Sequence, residues 1–176
     1  MPPTPPPLPS PAGRFADLAG AHRALEEAFL QHQEALLSLE LAQATAGLER
    51  YAAGLRRHLE AEEALLLPPF TALYAAAAAR GERWRGADPE LFRLEHARLL
   101  ALLDGVRGAL AALTPGAPRL KRAVLALLEQ EGTLRHLAHH HELREETHLF
   151  PALDVWGTEA ERAALRAAFA RATTGG

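Results

Sequence analysis

The chain reads as an all-α protein, an up-down-up-down four-helix bundle with a short C-terminal fifth helix. Three observations carry that expectation. Ala and Leu dominate while aromatics are few, the composition of helix-forming sequence. Four long stretches space their apolar residues in steps of three and four, which lines one face of an α-helix. Pro and Gly gather at the breaks between those stretches, where a helix interior tolerates them poorly. Four amphipathic helices with three connections favour such a bundle. At 176 residues the chain is long enough for one domain with a substantial core.

Residues 1–12 are rich in Pro and are expected to be extended or disordered, leaving 13–176 as the domain. The first helix is expected over about 13–41, with a seam of Phe15, Leu18, His22, Leu25, Phe29, His32, Leu36 and Leu39. The second is expected over about 46–67, with Leu48, Tyr51, Leu55, His58, Glu62 and Leu65 on its seam. Pro68-Pro69 ends it, because proline lacks the amide hydrogen a helix interior needs. An Ala-rich helical continuation after a kink is expected over 70–80, and a loop over 81–86. Asp88-Pro89-Glu90 opens the third helix with a good N-cap, a proline at the first helical position and a carboxylate that complements the dipole. Its seam is Phe92, His96, Leu99, Leu103, Val106, Leu110 and Leu113, and a Thr-Pro-Gly-Ala-Pro break follows. The fourth helix is expected over about 119–150, with Leu120, Val124, Leu127, Glu131, Leu134, Ala138, His141, Glu145 and His148 on its seam. Thr158 and Glu161 form a capping box that starts the fifth helix, which ends near residue 171.

One phrase occurs twice in this frame. His58 and Glu62 are followed by Pro68; 83 residues later His141 and Glu145 are followed by Pro151. Each copy is His-x-x-x-Glu-Glu with Pro five residues on. Positions i and i+4 of a helix share a face, so each copy presents an imidazole beside a carboxylate. Each is also preceded by one seam histidine on the previous helix, His22 or His96. A lone seam histidine is usually a hydrogen-bonded core residue, and one His-Glu pair is a weak signal; the conjunction of all six is specific. Burying an unpartnered carboxylate costs several kcal/mol, and two facing carboxylates force one to protonate. Cations between them remove both problems. Four imidazoles and two carboxylates at His22, His58, Glu62, His96, His141 and Glu145 suit two iron or manganese ions. The two Glu can bridge ions about 3.5–4 Å apart.

Composition excludes several classes. There is no cysteine, so disulfides, Cys-ligated clusters and thiol chemistry are absent. A formal net charge of −3 implies no nucleic-acid or anionic-membrane partner. The N-terminus has neither the basic nor the apolar segment of a signal peptide, and no apolar run is long enough to span a bilayer. A cytoplasmic protein is the expectation.

On His22, His58-x-x-x-Glu62, His96 and His141-x-x-x-Glu145, with both downstream prolines, the chain resembles the hemerythrin-like proteins with the HHE cation-binding motif. The resemblance covers roughly residues 14–151. It implies two non-haem iron ions, with Mn or Zn as alternatives, held by these six residues and bridged by the two Glu. The oxygen-carrying hemerythrins have two metal histidines four apart on the third helix; here Phe92 and Leu100 flank His96 at that spacing. Their last bridge is an Asp five residues after its histidine, where this chain has Glu145 four after His141. The four-His, two-Glu set is similar to that of bacterial iron-centre-repair proteins, whose extra Cys-containing N-terminal domain has no counterpart in this sequence.

Three classes of function follow. The first is reversible binding of O2 or NO for sensing, buffering or transport, behind an apolar wall of Leu18, Leu25, Phe29, Leu99 and Leu103. The second is a redox enzyme acting on peroxide or NO or repairing iron centres, with a redox partner protein. The third is iron storage or a structural metal. His148 is a candidate fifth ligand, a donor to Glu145 or an exposed helix-end residue; Glu26 is a candidate iron cap or a solvent-facing residue. His136, His139 and His140 fall off the seam and read as a solvated face. His32 and Glu131 each lie ten residues from a ligand in opposite directions, which puts both about 15 Å to one side of the metal layer. They are expected to form a buried polar cluster, with Tyr51 as a third candidate member.

Overall fold

The computed structural model describes residues 13–174. The Pro-rich segment expected to be disordered lies outside them. The described residues are helical, with no strand among them. A 3-10 turn, Phe15–Ala19, leads into α1, Gly20–Leu37. There follow α2, Leu41–Ala61, a π-helical turn Glu62–Leu66, and α3, Leu67–Ala79. After a loop come α4, Pro89–Ala111, and α5, Leu120–Arg144. A second π-helical turn, Glu145–Leu149, joins α5 to the short α6, Phe150–Leu153, and α7 spans Glu159–Thr173. The helix α1 packs on α2 and α4 on α5, and the pairs meet through α2 with α4 and α1 with α5.

Several ends are where the sequence puts them. The Asp88 side chain accepts from the Glu90 amide at 2.9 Å, capping α4. Thr158 and Glu161 exchange the two bonds of a capping box at α7. The first connection is tighter than expected. Leu39, at φ 59°, turns the chain between α1 and α2, so α1 stops at Leu37 and α2 begins at Leu41. The Glu40 amide bonds the Ala35 carbonyl at 2.9 Å, which closes the end of α1. A left-handed conformation is costly for leucine; its side chain packs against the core, which offsets the strain.

The prolines do not end their helices. Pro68 has no amide hydrogen, and its ring crowds the carbonyl four residues back. The chain widens instead. The Leu67 amide reaches the Glu62 carbonyl, a five-residue π step, and the helix continues into α3. Pro151 has the same consequence, with the Phe150 amide bonded to the Glu145 carbonyl. Each π turn inserts one extra residue after its Glu. The buried positions therefore move from Leu65 to Leu66 and from His148 to Leu149.

Two apolar clusters fill the interior. One holds Phe29, Leu36, Leu48, Leu55, Leu99, Leu103, Val124 and Leu134 among others. The other holds Phe15, Leu66, Phe70, Phe92, Phe150 and Phe169 among others. On every long helix the seam residue between the clusters is His or Glu. His22 lies between Leu18 and Leu25, His58 and Glu62 between Leu55 and Leu66, His96 between Phe92 and Leu99, and His141 and Glu145 between Leu134 and Leu149.

The expected second polar cluster is present. His32 and Glu131 are wholly buried, with Nε2 and Oε1 2.9 Å apart. His32 Nδ1 donates to the Ala44 carbonyl at 2.7 Å, and Gln33 donates to the other Glu131 oxygen at 2.9 Å. One residue from α5 is thereby tied to α1 and α2. Gly47 permits the approach, since a Cβ there would stand 3.1 Å from the His32 Cα. Tyr51 makes no bond to this pair among the described residues; it packs on Phe29, ring centroids 4.7 Å apart. Breaking a buried pair strands its partner, so Glu131→Ala is expected to destabilise the fold by about 3–5 kcal/mol. Urea unfolding reads this loss.

Candidate metal centre

The six seam residues converge. All are buried, and the four Nε2 atoms point at the carboxylates of Glu62 and Glu145. His58 meets Glu62 Oε1, one turn along the same helix. Glu62 Oε2 lies 2.9 Å from His96 Nε2 and 3.3 Å from His141 Nε2. Glu145 Oε2 lies 2.9 Å from His22 Nε2, and its Oε1 is 3.9 Å from His141 Nε2. His22 and His58 approach each other at 3.0 Å through Nε2. Two groups could each hold a metal ion: His22, His58, Glu62 and Glu145, and Glu62, His96 and His141. Glu62 belongs to both.

The donors fit a cation better than they fit each other. Glu62 Oε1, both Glu145 oxygens and His96 Nε2 are buried without a satisfactory hydrogen bond among the described residues. Buried polar atoms are rarely left so, and these are the atoms that face the common centre. Electrostatics make the same point. Burial would raise the Glu62 carboxyl, but His58, His141 and His96 hold it well below the usual carboxylate range. Glu145 is raised by burial and by the charge of Glu62. Burial alone would lower His141; Glu62, Glu95 and Glu145 instead lift it to about 10. In the protein without ions these shifts favour a proton on His141, whose Nε2 faces Glu62.

Two residues that the sequence reading did not assign complete one half of the site. His141 Nδ1 donates to Glu95 at 3.1 Å, and Arg144 Nη2 holds the other Glu95 oxygen at 2.9 Å. His96 Nδ1 donates to Glu63 at 2.8 Å. Each bond fixes the tautomer that turns an Nε2 lone pair inward. The signal was faint: Glu63 is the second Glu of the repeated phrase, and Glu95 merely adjoins His96.

Other candidates fall outside the centre. Glu26 is exposed. His148 belongs to neither metal group, because the π turn rotates it off the seam, and its ring lies against Gly86. His136, His139 and His140 are exposed, as expected. Of the proposed apolar wall, Leu25 and Phe29 line a cavity of about 320 Å3 together with Tyr51, Leu55, Ala138 and Glu142. Leu99 and Leu103 sit in the same apolar cluster as Phe29, whereas Leu18 is on the opposite side of the polar layer. Burial, then the charge of Glu142, push the Tyr51 phenol above its usual range. No helix among the described residues is long and apolar enough to cross a membrane. No protein-family model, curated protein or solved structure matches the chain.

Proposed function

We propose that the chain is a hemerythrin-like protein that holds two non-haem iron ions and binds O2 or NO. The observation that carries the reading is Glu62, a buried carboxylate shared by two His-Glu groups whose facing atoms lack other partners. His22, His58, His96 and His141 would supply the imidazoles, and Glu62 and Glu145 the bridges. Iron so held supplies open coordination positions and a change of oxidation state. One group offers three protein donors and the other four, short of the six an octahedral ion takes.

An up-down-up-down bundle with α7 as the fifth helix is the architecture we infer, with α1, α2, α4 and α5 as its four members. Its support is the order in which each helix meets the two apolar clusters. Leu18, in the 3-10 turn, precedes Leu25 of α1 and Phe92 precedes Leu99 on α4, while Leu55 of α2 precedes Leu66 of the π turn after it and Leu134 of α5 precedes Leu149 of its own π turn. The sense alternates along the chain. The cavity beside Leu25, Leu55 and Ala138, each three residues from a ligand histidine, gives a small molecule an apolar approach. A cytoplasmic protein without nucleic-acid or membrane partners remains part of this reading.

The test is to load the protein with Fe(II) without air, count the ions and record visible spectra with O2, NO and peroxide. Two irons per chain and a spectral change reversed by removing the gas are expected. Two tightly held zinc ions with no response to any of the three would overturn it. The second reading, a di-iron redox enzyme with peroxide as substrate and a redox partner protein, draws on the same open positions. Rapid autoxidation with consumption of added peroxide would select it.

A further inference from the structure

The two halves of the centre are built differently. At His96 and His141 both outer nitrogens are tied, to Glu63 and Glu95, and Arg144 bridges Glu95 to the Gly86 carbonyl at 3.1 Å. This side is braced by a chain of charged bonds. At His22 and His58 both Nδ1 atoms are buried with no hydrogen-bond partner among the described residues. Their rings are backed by aromatic side chains instead. Phe150 stacks on His22 at 6.3 Å, and Phe169 meets His58 edge-on at 5.5 Å.

Phe169 comes from α7, and it is the one fully buried residue of that helix. Leu165 is half-buried against the same cluster, and Arg166 lies over the Phe15 ring at 5.5 Å. The ion pairs of α7 do not anchor it to the bundle. Arg162 and Arg166 both pair with Glu159 of the same helix, and Arg162 also bonds the carbonyls of Trp156 and Gly157 just before it. Gly157, at φ +55°, joins α7 to the rest of the chain. The helix lies against α2 and the first π turn, but one fully buried side chain, at the end of the described chain, is its anchor in the apolar interior, and such a terminal element opens at lower free energy than the core. Beside its last turn, between α1 and α2, a cavity of about 200 Å3 lined by Ala21, Leu25, Gly54, Arg57 and Thr173 already reaches His58.

We propose that one of the two ions is exchangeable, the one on His22 and His58, and that it enters and leaves when α7 lifts off the bundle. The proposal rests on the two-ion reading above. Donor number does not decide it, since His22, His58, Glu62 and Glu145 form the larger group. Exchange is a rate. It requires an imidazole to swing away and a route out, and this half has the unbraced imidazoles, beside a helix anchored by one buried side chain. The ligand it takes is a divalent cation, received or given up singly while the second ion stays under Glu63 and Glu95. The centre is then suited to passing on one ion without collapsing.

The experiment starts from protein loaded with Fe(II) without air. Ions per chain are counted first, and fewer than two would overturn the two-ion reading itself. An excess of a chromogenic Fe(II) chelator is then added and release is followed by absorbance. Two phases of one ion each are expected, separated by at least about tenfold. Phe169→Ala should accelerate the fast phase alone. Glu63→Gln and Glu95→Gln should accelerate the slow phase alone, by about 10–100-fold, the usual effect of removing a partner behind a ligand. Protein holding two ions that loses them in a single phase, or a Phe169→Ala variant with both phases changed equally, would overturn the exchange proposal. Hydrogen exchange in the unaltered chain gives an independent reading. The α7 amides should exchange more slowly with two ions bound than with one, and equal rates would also overturn it.

Discussion

Glu62→Ala is expected to empty both candidate metal positions. The carboxylate serves two groups at once, meeting His58 through Oε1 and both His96 and His141 through Oε2. Its loss leaves one group with two imidazoles and the other with two imidazoles and Glu145. Metal content should fall from about two per chain to a small fraction of one, measured by elemental analysis after gel filtration. His58→Ala removes a donor from one group only and should cost chiefly one ion. Glu145→Gln offers a contrast. Burial and Glu62 already favour the neutral form of Glu145, so the protein without ions should tolerate the amide while binding ions more weakly. Full loading of Glu62→Ala would remove that residue from the centre and, with it, the bridged arrangement.

If the proposed ions are bound, stripping them is expected to lower stability by an amount that grows with pH. An ion that binds only the folded chain contributes about 4 kcal/mol at a thousand times its Kd. For a chain of this size that corresponds to on the order of 10 °C in Tm per ion. The pH dependence follows from the protons the ions displace. Without ions, His141 is raised to about 10 by Glu62, Glu95 and Glu145 against the effect of burial. A raised histidine stabilises the fold fully below its unfolded value, near 6.5, and loses that contribution as pH climbs through about 10. The protein without ions therefore weakens across this window. Cation binding strengthens over the same window, because fewer protons must be displaced. The gap in Tm between loaded and chelator-treated protein should widen from pH 6 to pH 9, read by differential scanning calorimetry. A gap that narrows as pH rises would contradict the assignment of His141 as a ligand.

Much of the centre was legible in the chain because helical periodicity is a strong signal. A polar residue at a seam position has nowhere to go but inward, and six such residues fell on four seams. The same logic found His32 and Glu131, whose separation from the ligands matched along two helices. It did not hold for Tyr51, which turns toward a cavity. It also missed Glu63 and Glu95, since each sits one position off its seam. Glu95 reaches His141 across the gap between α4 and α5, and a contact between helices leaves no mark in the spacing along either one.

The prolines show where the reading of single elements stops. A missing amide hydrogen can end a helix or widen it by one residue, and both outcomes have the same local sequence. Packing decides. Leu66, Leu67 and Phe70 around the first proline pair, and Leu149, Phe150 and Leu153 around Pro151, are all buried in one cluster. Continuing the helix through a π turn keeps those contacts, while a stop would lose them. The register shift that follows takes His148 out of the centre and keeps Glu62 and Glu145 in it.

By itself the sequence determined the helical class, the capped starts of α4 and α7, and the six residues that face one another. Each is set within a few residues of chain, by side-chain spacing or by a cap. The tertiary structure decided which carboxylate is shared, which imidazoles are braced, and that α7 lies against His58. Those depend on distances between helices that are far apart in sequence. Such distances are fixed only when the apolar clusters on either side of the polar layer have closed.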